Sequence, residues 1–168
     1  MSPDSAPRRI LFVCLGNICR SPAAEGVFAK LATQAGLHKR GVSWDSCGTA
    51  GWHSGDLADP RMIAAAAKRG IDLTHRARKL RPEDFREFDL LLTMDDANYS
   101  DVCAHAPEPA LKAKVRPMVD YLRSMEAAFV PDPYYDKADA FEYVLDLLED
   151  ACAGLVEELG KSLPPGAK

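Results

Sequence analysis

Short apolar runs and longer helical stripes alternate along the chain, and each kind of pattern predicts a different element. Residues 10–13 form a continuous apolar run, which is typical of a strand buried on both faces. Residues 42–47 predict a second strand, and residues 89–94 predict a third, buried strand. Residues 114–119 predict a weaker fourth strand, because Pro117 interrupts the run and cannot donate to a strand ladder.

The segments between these runs carry apolar residues at helical spacing. Residues 23–35 predict a helix that ends at Gly36, and Asp59-Pro60 is typical of the start of another. The clearest apolar stripe covers residues 141–159, has acidic residues opposite, and predicts the longest helix. The helix that starts at Asp59-Pro60 is predicted to run through residue 68. Two further helices are predicted over residues 81–85 and 96–103, with a loop over residues 104–113.

Strands that alternate with helices predict an α/β protein, here a three-layer αβα fold with a central four-stranded parallel sheet. Ligands bind at the carboxyl ends of the strands in such sheets, so we expect the functional loop to follow the first strand. A length of 168 residues fits one domain, residues 1–168. The ends of the chain, residues 1–8 and 163–168, are expected to be flexible.

The composition and charge argue against several classes of protein. The formal net charge of −4 argues against broad nucleic-acid binding and gives no polybasic signal for a membrane surface. No apolar run approaches the roughly 20 residues of a membrane span, and no signal peptide is recognisable, so we expect a cytoplasmic protein. The five cysteines show no zinc-ligand spacing and their number is odd. We therefore expect neither a metal site nor a disulfide framework.

The loop after the first predicted strand carries the candidate chemistry. Cys14 ends the strand, five residues separate it from Arg20, and Ser21-Pro22 is typical of a helix start. Gly16 and Asn17 tolerate the backbone conformations that curl a loop around a ligand. A strand, a tight loop and a helix N-terminus together form an anion-binding cradle.

The residue types in this loop suit phosphate chemistry. Arg20 offers a planar charged fork that matches two phosphate oxygens. The same positive field stabilises a thiolate at Cys14, which would make that sulfur a phosphoryl acceptor. A structural alternative remains, because a cysteine at a strand end is often only a small buried hydrophobe and this spacing also occurs by chance.

A distant segment supplies a candidate proton donor. Asp132 lies between Pro131 and Pro133, which stiffen its backbone, and Tyr134 and Tyr135 follow it. Transfer of a phosphoryl group to cysteine needs an acid for the leaving oxygen and later a base for water. The alternative is a proline-rich turn with surface tyrosines.

The loop of residues 14–21 and the Asp132-Pro133-Tyr134-Tyr135 motif together resemble the low-molecular-weight protein tyrosine phosphatase family. The resemblance covers about residues 9–159. It implies that Cys14 is the nucleophile, that Arg20 clamps the phosphate, and that Asp132 is the general acid and then the base.

The resemblance also implies supporting roles. Ser21 would donate a hydrogen bond to the Cys14 sulfur, and Asn17 would hold the shape of the loop with help from Ser46 and His75. The other implied contacts fall into two groups. The phosphate-binding loop would include Leu15, Gly16, Ile18 and Cys19, and the substrate pocket would include Trp52, Tyr134 and Tyr135.

Further expectations follow from the family. Cys14 and Cys19 would form a reversible disulfide on oxidation, as the two ends of a bowl-shaped loop come close together. The implied reaction needs no metal and no other cofactor. The expected partners are phosphotyrosine-containing proteins, a tyrosine kinase among the candidates, and the chain is expected to be a monomer without nucleic-acid or membrane partners.

Three related functions compete with this interpretation. A phosphoarginine phosphatase of the same family would typically carry threonine where this chain has Ile18. A thiol-relay arsenate reductase needs two more cysteines on a mobile segment, whereas Cys103 and Cys152 fall on predicted helices. A binding-only relative would be expected to lack Cys14 or Asp132, and both are present.

Overall fold

The computed structural model describes residues 6–164. Its four strands form one parallel sheet in the order β2-β1-β3-β4. The strands are β1 (Arg9–Cys14), β2 (Ser43–Gly48), β3 (Leu90–Thr93) and β4 (Val115–Pro117). The helices are α1 (Arg20–Gln34), α2 (Pro60–Ala67), α3 (Asp84–Glu87), α4 (Asp96–Ala104) and α5 (Ala138–Ser162), and short 3-10 helices cover Leu37–Arg40, Pro109–Lys114 and Met118–Tyr121.

The sheet separates two apolar cores, which confirms the predicted three-layer αβα fold. Side chains of β1 alternate between them, so Ile10 and Phe12 pack in the core that includes α1, α2 and α5. Leu11 and Val13 point the other way, into the core that includes α3 and α4. Burial on both faces explains why the strand reads as an unbroken apolar run.

The central position of β1 determines where the site lies. Cys14 is in register with Gly48 at the end of β2, so the loop after β1 crosses the end of the neighbouring strand. A Cβ atom on Gly48 would lie 2.6 Å from the Leu15 carbonyl oxygen, closer than real contacts allow. The absence of a side chain at this position therefore lets the loop pass directly over the edge of the sheet.

Some predicted boundaries were wrong. Helix α1 begins at Arg20 with Cys19 at its N-cap position, two residues before the predicted start with Ser21 as the cap and Pro22 as the first helical residue. Strand β4 stops at Pro117 because the chain turns into a 3-10 helix there. The predicted loop over residues 104–113 also contains 3-10 structure.

The described parts of the two chain ends pack against the domain. Ala6 and Leu163 are buried, and the amide of Arg8 donates to Asp89. Arg40 donates to the carbonyl oxygens of Leu163 and Pro164, which holds this part of the predicted flexible tail against the domain. The remainder of the two predicted flexible ends, residues 1–5 and 165–168, lies outside the described residues.

Membrane crossing can be tested on the helices of residues 6–164. None of them combines the length and the apolar character that a bilayer span requires.

Candidate active site

Cys14 lies at the carboxyl end of β1 with only 2% of its surface exposed. Its Sγ atom is 3.0 Å from the Ser21 hydroxyl. That hydroxyl has one proton, which it can donate either to the sulfur or to the Cys47 carbonyl oxygen 3.2 Å away. Ser21 is the second residue of α1, past the N-cap position, and its hydroxyl is used as a partner of the sulfur.

Residues 14–21, which we call the phosphate loop, present unused backbone donors. Within residues 6–164, none of the N–H groups of residues 15–19 donates to a protein acceptor. Asn17 has a left-handed backbone conformation, with φ of 57°, and so curls the loop as predicted. Gly16 keeps a negative φ, and its small size instead leaves room for the His53 ring. Successive free donors at a helix N-terminus are suited to an anion.

The Asn17 side chain fixes the shape of this loop from below. Its Nδ2 donates to the hydroxyls of Ser21 at 2.7 Å and Ser46 at 3.0 Å. Its Oδ1 accepts from the Arg78 amide at 3.0 Å and from His75 Nε2 at 2.9 Å. Every hydrogen-bonding site of the buried amide is thereby used, which restricts it to one orientation.

A second layer of polar groups orients His75. Because Nε2 donates to Asn17, the other ring nitrogen, Nδ1, faces carboxylate oxygens of Glu25 and Asp45, each 3.3 Å away. Burial raises the pKa of Glu25 to about 7 and lowers the pKa of His75. Burial of both groups therefore favours one proton held between Glu25 and Nδ1 of His75 near neutral pH.

The same three side chains have the spacing of a metal site. Their ligand atoms lie within 4.8 Å of one another. However, Glu25 already accepts from Ser46 at 2.7 Å, and Asp45 is paired with Arg78 at 3.1 Å. The shared proton and Arg78 supply the positive charge that these carboxylates need, so the cluster fits a positioning role under the loop.

Arg20 is almost fully buried and is held from behind. Its Nη1 donates to Asp95 at 2.6 Å and to the Val130 carbonyl at 3.0 Å. Its Nη2 lies 3.8 Å from Asp132. Asp95 also caps α4 by accepting from the Asn98 amide, so one carboxylate anchors both the helix and the guanidinium.

Asp132 belongs to residues 131–136, which we call the acid segment. About two fifths of its side chain is exposed, and its Oδ1 accepts from the Tyr134 amide at 3.1 Å. This local turn orients the carboxyl group, while the 3.8 Å separation from Arg20 brings it to the mouth of the phosphate loop.

One pocket of about 160 Å³ brings these groups together. Trp52 and Tyr135 are 75% and 93% exposed and form its rim, and Tyr134 packs edge-on against Tyr135. The pocket is lined by Cys14, Leu15, Gly16, Ile18, Cys19, Arg20, Trp52, His53, Asp132, Tyr134 and Tyr135. All predicted loop and pocket residues except the inward-facing Asn17 and Ser21 therefore line it directly.

Cys19 lies in the same pocket but in a different environment. It is buried, and burial is the main reason why the pKa of its thiol is raised well above the ordinary value. Cys19 is thus held as a protonated thiol. Its pairing with Cys14 stays a prediction.

Several residues of the site were not singled out from the sequence. Asp95 follows β3 directly, so the convergence of parallel strand ends could have indicated it. His53, Glu25 and Arg78 carried no local signal, because only the tertiary fold brings them to the phosphate loop.

The site combines a buried thiol, a cradle of free amides and a fixed arginine. This combination is typical of enzymes that bind a phosphate group next to a cysteine. The family model described as "Low molecular weight phosphotyrosine protein phosphatase" matches residues 9–164. The chain belongs to this family.

Individual relatives agree with this assignment. A Synechocystis sp. protein, named provisionally as a low molecular weight protein-tyrosine-phosphatase, is 49% identical over 155 residues, which cover 92% of this chain and 98% of the relative. The crystal structure of a protein tyrosine phosphatase from Entamoeba histolytica has a TM-score of 0.88 at 40% identity and covers 92% and 97% of the two chains. The Bacillus subtilis arginine phosphatase YwlE has a TM-score of 0.81 at 29% identity, with 91% and 96% covered.

Proposed function

We propose that the chain hydrolyses phosphotyrosine in proteins through a cysteinyl-phosphate intermediate on Cys14. The observation that carries the proposal is the convergence of Cys14, Arg20 and Asp132 in one pocket with an aromatic rim. The names of the relatives support the same substrate class. Residues 1–168 then act as one phosphatase domain, monomeric and cytoplasmic, on phosphotyrosine-containing proteins that include tyrosine kinases.

In the first step the Cys14 thiolate attacks phosphorus, the S–P bond forms, and the bond from phosphorus to the tyrosine oxygen breaks. Protonated Asp132 gives its proton to that oxygen, so tyrosine leaves neutral. Arg20 and the free amides of the phosphate loop hold the other phosphate oxygens. Since Asp95 and Val130 already orient the guanidinium, it needs little reorganisation as charge moves onto these oxygens.

In the second step water attacks the phosphorus of the phosphocysteine, and Asp132, now a carboxylate, accepts the proton of that water. The S–P bond breaks and inorganic phosphate leaves. The Ser21 hydroxyl, 3.0 Å from the sulfur, donates to the returning thiolate and makes it a better leaving group. A solved YwlE structure, a Cys-to-Ser mutant with a phosphorylated active-site serine, gives a precedent for a phosphoryl group on the nucleophile position in a relative.

The shape of the pocket favours an aryl phosphate. Cys14 lies at the buried end and the aromatic side chains stand at the open end, so a long flat side chain spans the distance and phosphoserine is too short. The Ile18 side chain offers only apolar contact at the wall of the pocket. An uncharged aryl ring therefore suits this wall better than the guanidinium of phosphoarginine.

The deciding experiment compares matched peptides carrying phosphotyrosine, phosphoserine or phosphoarginine with the purified wild-type protein. We expect kcat/KM for phosphotyrosine to exceed the other two values by orders of magnitude. A preference for phosphoarginine would move the chain to the other activity in its family. Comparable values for phosphotyrosine and phosphoserine would contradict the deep pocket as the source of specificity.

We also propose that Cys19 protects the nucleophile from oxidation. Peroxide converts an accessible thiolate to sulfenic acid, which a neighbouring thiol captures as a disulfide with loss of water. Cys19 shares the pocket with Cys14, and burial keeps its thiol protonated, so peroxide is not expected to oxidise Cys19 first. Dithiothreitol is expected to restore activity to peroxide-treated wild type and much less to Cys19→Ser. Peptide mass spectrometry that finds Cys14 sulfinic acid and no Cys14–Cys19 linkage in wild type would reduce Cys19 to packing.

A further inference from the structure

A two-residue bridge connects the phosphate loop to the acid segment across one side of the pocket. Its first half is Asp59, the N-cap of α2. The amide of Asp59 donates to the Ile18 carbonyl oxygen at 2.8 Å, which ties this residue to the phosphate loop. The Asp59 side chain is almost fully buried.

Arg61 forms the second half of the bridge. Its Nε and Nη2 atoms donate to the two Asp59 carboxylate oxygens at 3.0 and 2.7 Å, in a bidentate pair. These hydrogen bonds are the main reason why the pKa of Asp59 lies below its ordinary value. Nη2 also donates to the Tyr134 carbonyl oxygen at 2.8 Å. One guanidinium therefore holds the carboxylate and the acid segment together.

Aromatic contacts fix the plane of this guanidinium. Its central carbon lies 5.6 Å from the centre of the Tyr134 ring and 4.7 Å from that of Phe141, which is buried in α5. The Tyr134 amide in turn donates to Asp132 Oδ1. Residue by residue, the contacts run from the Ile18 carbonyl through Asp59 and Arg61 to the proposed general acid.

We propose that Arg61 is a positioning residue that sets the distance between Asp132 and the phosphate loop, and thereby the efficiency of proton transfer to the leaving group. The inference rests on the proposed function, in which Asp132 is the general acid. Arg61 itself touches neither phosphate nor the reacting oxygen in this scheme. Within residues 6–164, Arg61 is the only hydrogen-bond donor to the Tyr134 carbonyl oxygen. Removal of the Arg61 side chain therefore leaves the acid segment with fewer restraints.

The test uses kcat/KM for phenyl phosphate, whose leaving group needs a proton, and for p-nitrophenyl phosphate, whose leaving group needs one much less. For Arg61→Ala we expect a loss of about tenfold on phenyl phosphate and below about threefold on p-nitrophenyl phosphate, a fraction of a full general-acid contribution. In an Asp132→Ala background the Arg61→Ala change should cause no further loss on phenyl phosphate, because it acts through the missing carboxyl group.

Arg69→Ala is the matched control. Arg69 also joins the α2 region to α5, through Glu142, Asp146 and Glu149, but it lies away from the pocket. A similar fall in melting temperature without the leaving-group bias is expected for Arg69→Ala. Equal losses of Arg61→Ala on both substrates, or an undiminished loss in the Asp132→Ala background, would overturn the inference.

Two further measurements keep the outcomes distinct. If Arg61→Ala does not fold, Arg61→Lys serves instead, because one ammonium group cannot hold Asp59 bidentately and also reach Tyr134. Equal losses of Arg61→Lys on both substrates would equally reject the positioning role. If Asp132→Ala itself shows no bias, the proposed function of Asp132 fails. If only the Arg61 variants lack it, the inference fails alone.

Discussion

The phosphate loop and the acid segment contribute to the same pocket but are built in opposite ways. Cys14, Asn17, Arg20 and Ser21 of the phosphate loop are almost completely buried, and their polar atoms are bonded to groups of the surrounding fold. In the acid segment, Asp132 is partly exposed and Tyr135 is almost fully exposed. The anion site is thus rigid, whereas the acid depends on a few contacts.

Because of this difference, we expect substitutions in the two regions to have different effects on catalysis. A preorganised cradle stabilises charge with little reorganisation, so a substitution that disturbs it should slow the hydrolysis of every substrate. A proton donor on an exposed segment matters in proportion to how much the leaving group needs its proton. The comparison therefore predicts uniform losses from the loop and substrate-dependent losses from the segment.

The largest effect is expected for Cys14→Ser. A hydroxyl is not ionised near neutral pH, so turnover should fall by at least about 10⁴-fold on every substrate, as for loss of a covalent nucleophile. Binding of a phosphotyrosine peptide, measured by calorimetry, should persist because the amides and Arg20 remain. Turnover above about a hundredth of wild type would contradict the covalent mechanism.

Asp132→Ala should come next, with a fall in kcat of about 10²–10³ for substrates with poor leaving groups. The loss should shrink for p-nitrophenyl phosphate, which departs without full protonation. Steady-state kinetics on a series of aryl phosphates measures this trend. An equal loss across the series would assign Asp132 to the structure of the pocket and not to proton transfer.

Asn17→Ala should reduce kcat/KM by about ten- to a hundredfold, and by the same factor for all aryl phosphates, because a misplaced loop weakens charge stabilisation in each case. It should also lower the unfolding free energy by about 1–3 kcal/mol, since His75 and Ser46 lose their buried partner.

Asn98→Ala provides the control for this change. Asn98 is equally buried, but it lies on α4 and its Oδ1 atom has no hydrogen-bond partner within residues 6–164. Denaturant unfolding and kinetics on both variants separate loop geometry from general destabilisation. If Asn98→Ala lost as much activity as Asn17→Ala, the special role of the Asn17 network would be refuted.

The smallest effect is expected at the rim. Trp52 is 75% exposed, so Trp52→Ala removes only one wall of the ring-binding region. We expect KM for phosphotyrosine peptides to rise by about three- to tenfold, roughly 1 kcal/mol of aromatic contact, with kcat nearly unchanged. A large fall in kcat would show that the rim also affects catalysis at the buried phosphate loop. The roles of the rim and the loop would then not be separable.

Prediction from the sequence succeeded where one local pattern dominates. The apolar run correctly predicted β1, because a strand buried on both faces is apolar throughout. The apolar stripe correctly predicted α5, because a helix buried on one face repeats its apolar residues at helical spacing. The Cys14-to-Arg20 spacing marked the phosphate loop for a similar reason, since strand, loop and helix start are adjacent in the chain. Local preference was misleading for Ser21, which does not cap α1 because the helix starts two residues earlier, whereas the family resemblance correctly implied its contact with Cys14.

By itself, the sequence determined the α/β architecture and marked the phosphate loop, because these depend on short-range patterns and residue chemistry. The proposed role of Asp132 came from the resemblance to a family. Only the tertiary structure decided what orients them. Asp95 holds Arg20 from 75 residues away, and Arg61 reaches Tyr134 from 73 residues away. Such contacts have no local period, because they depend on which loops the parallel strands bring to one edge of the sheet.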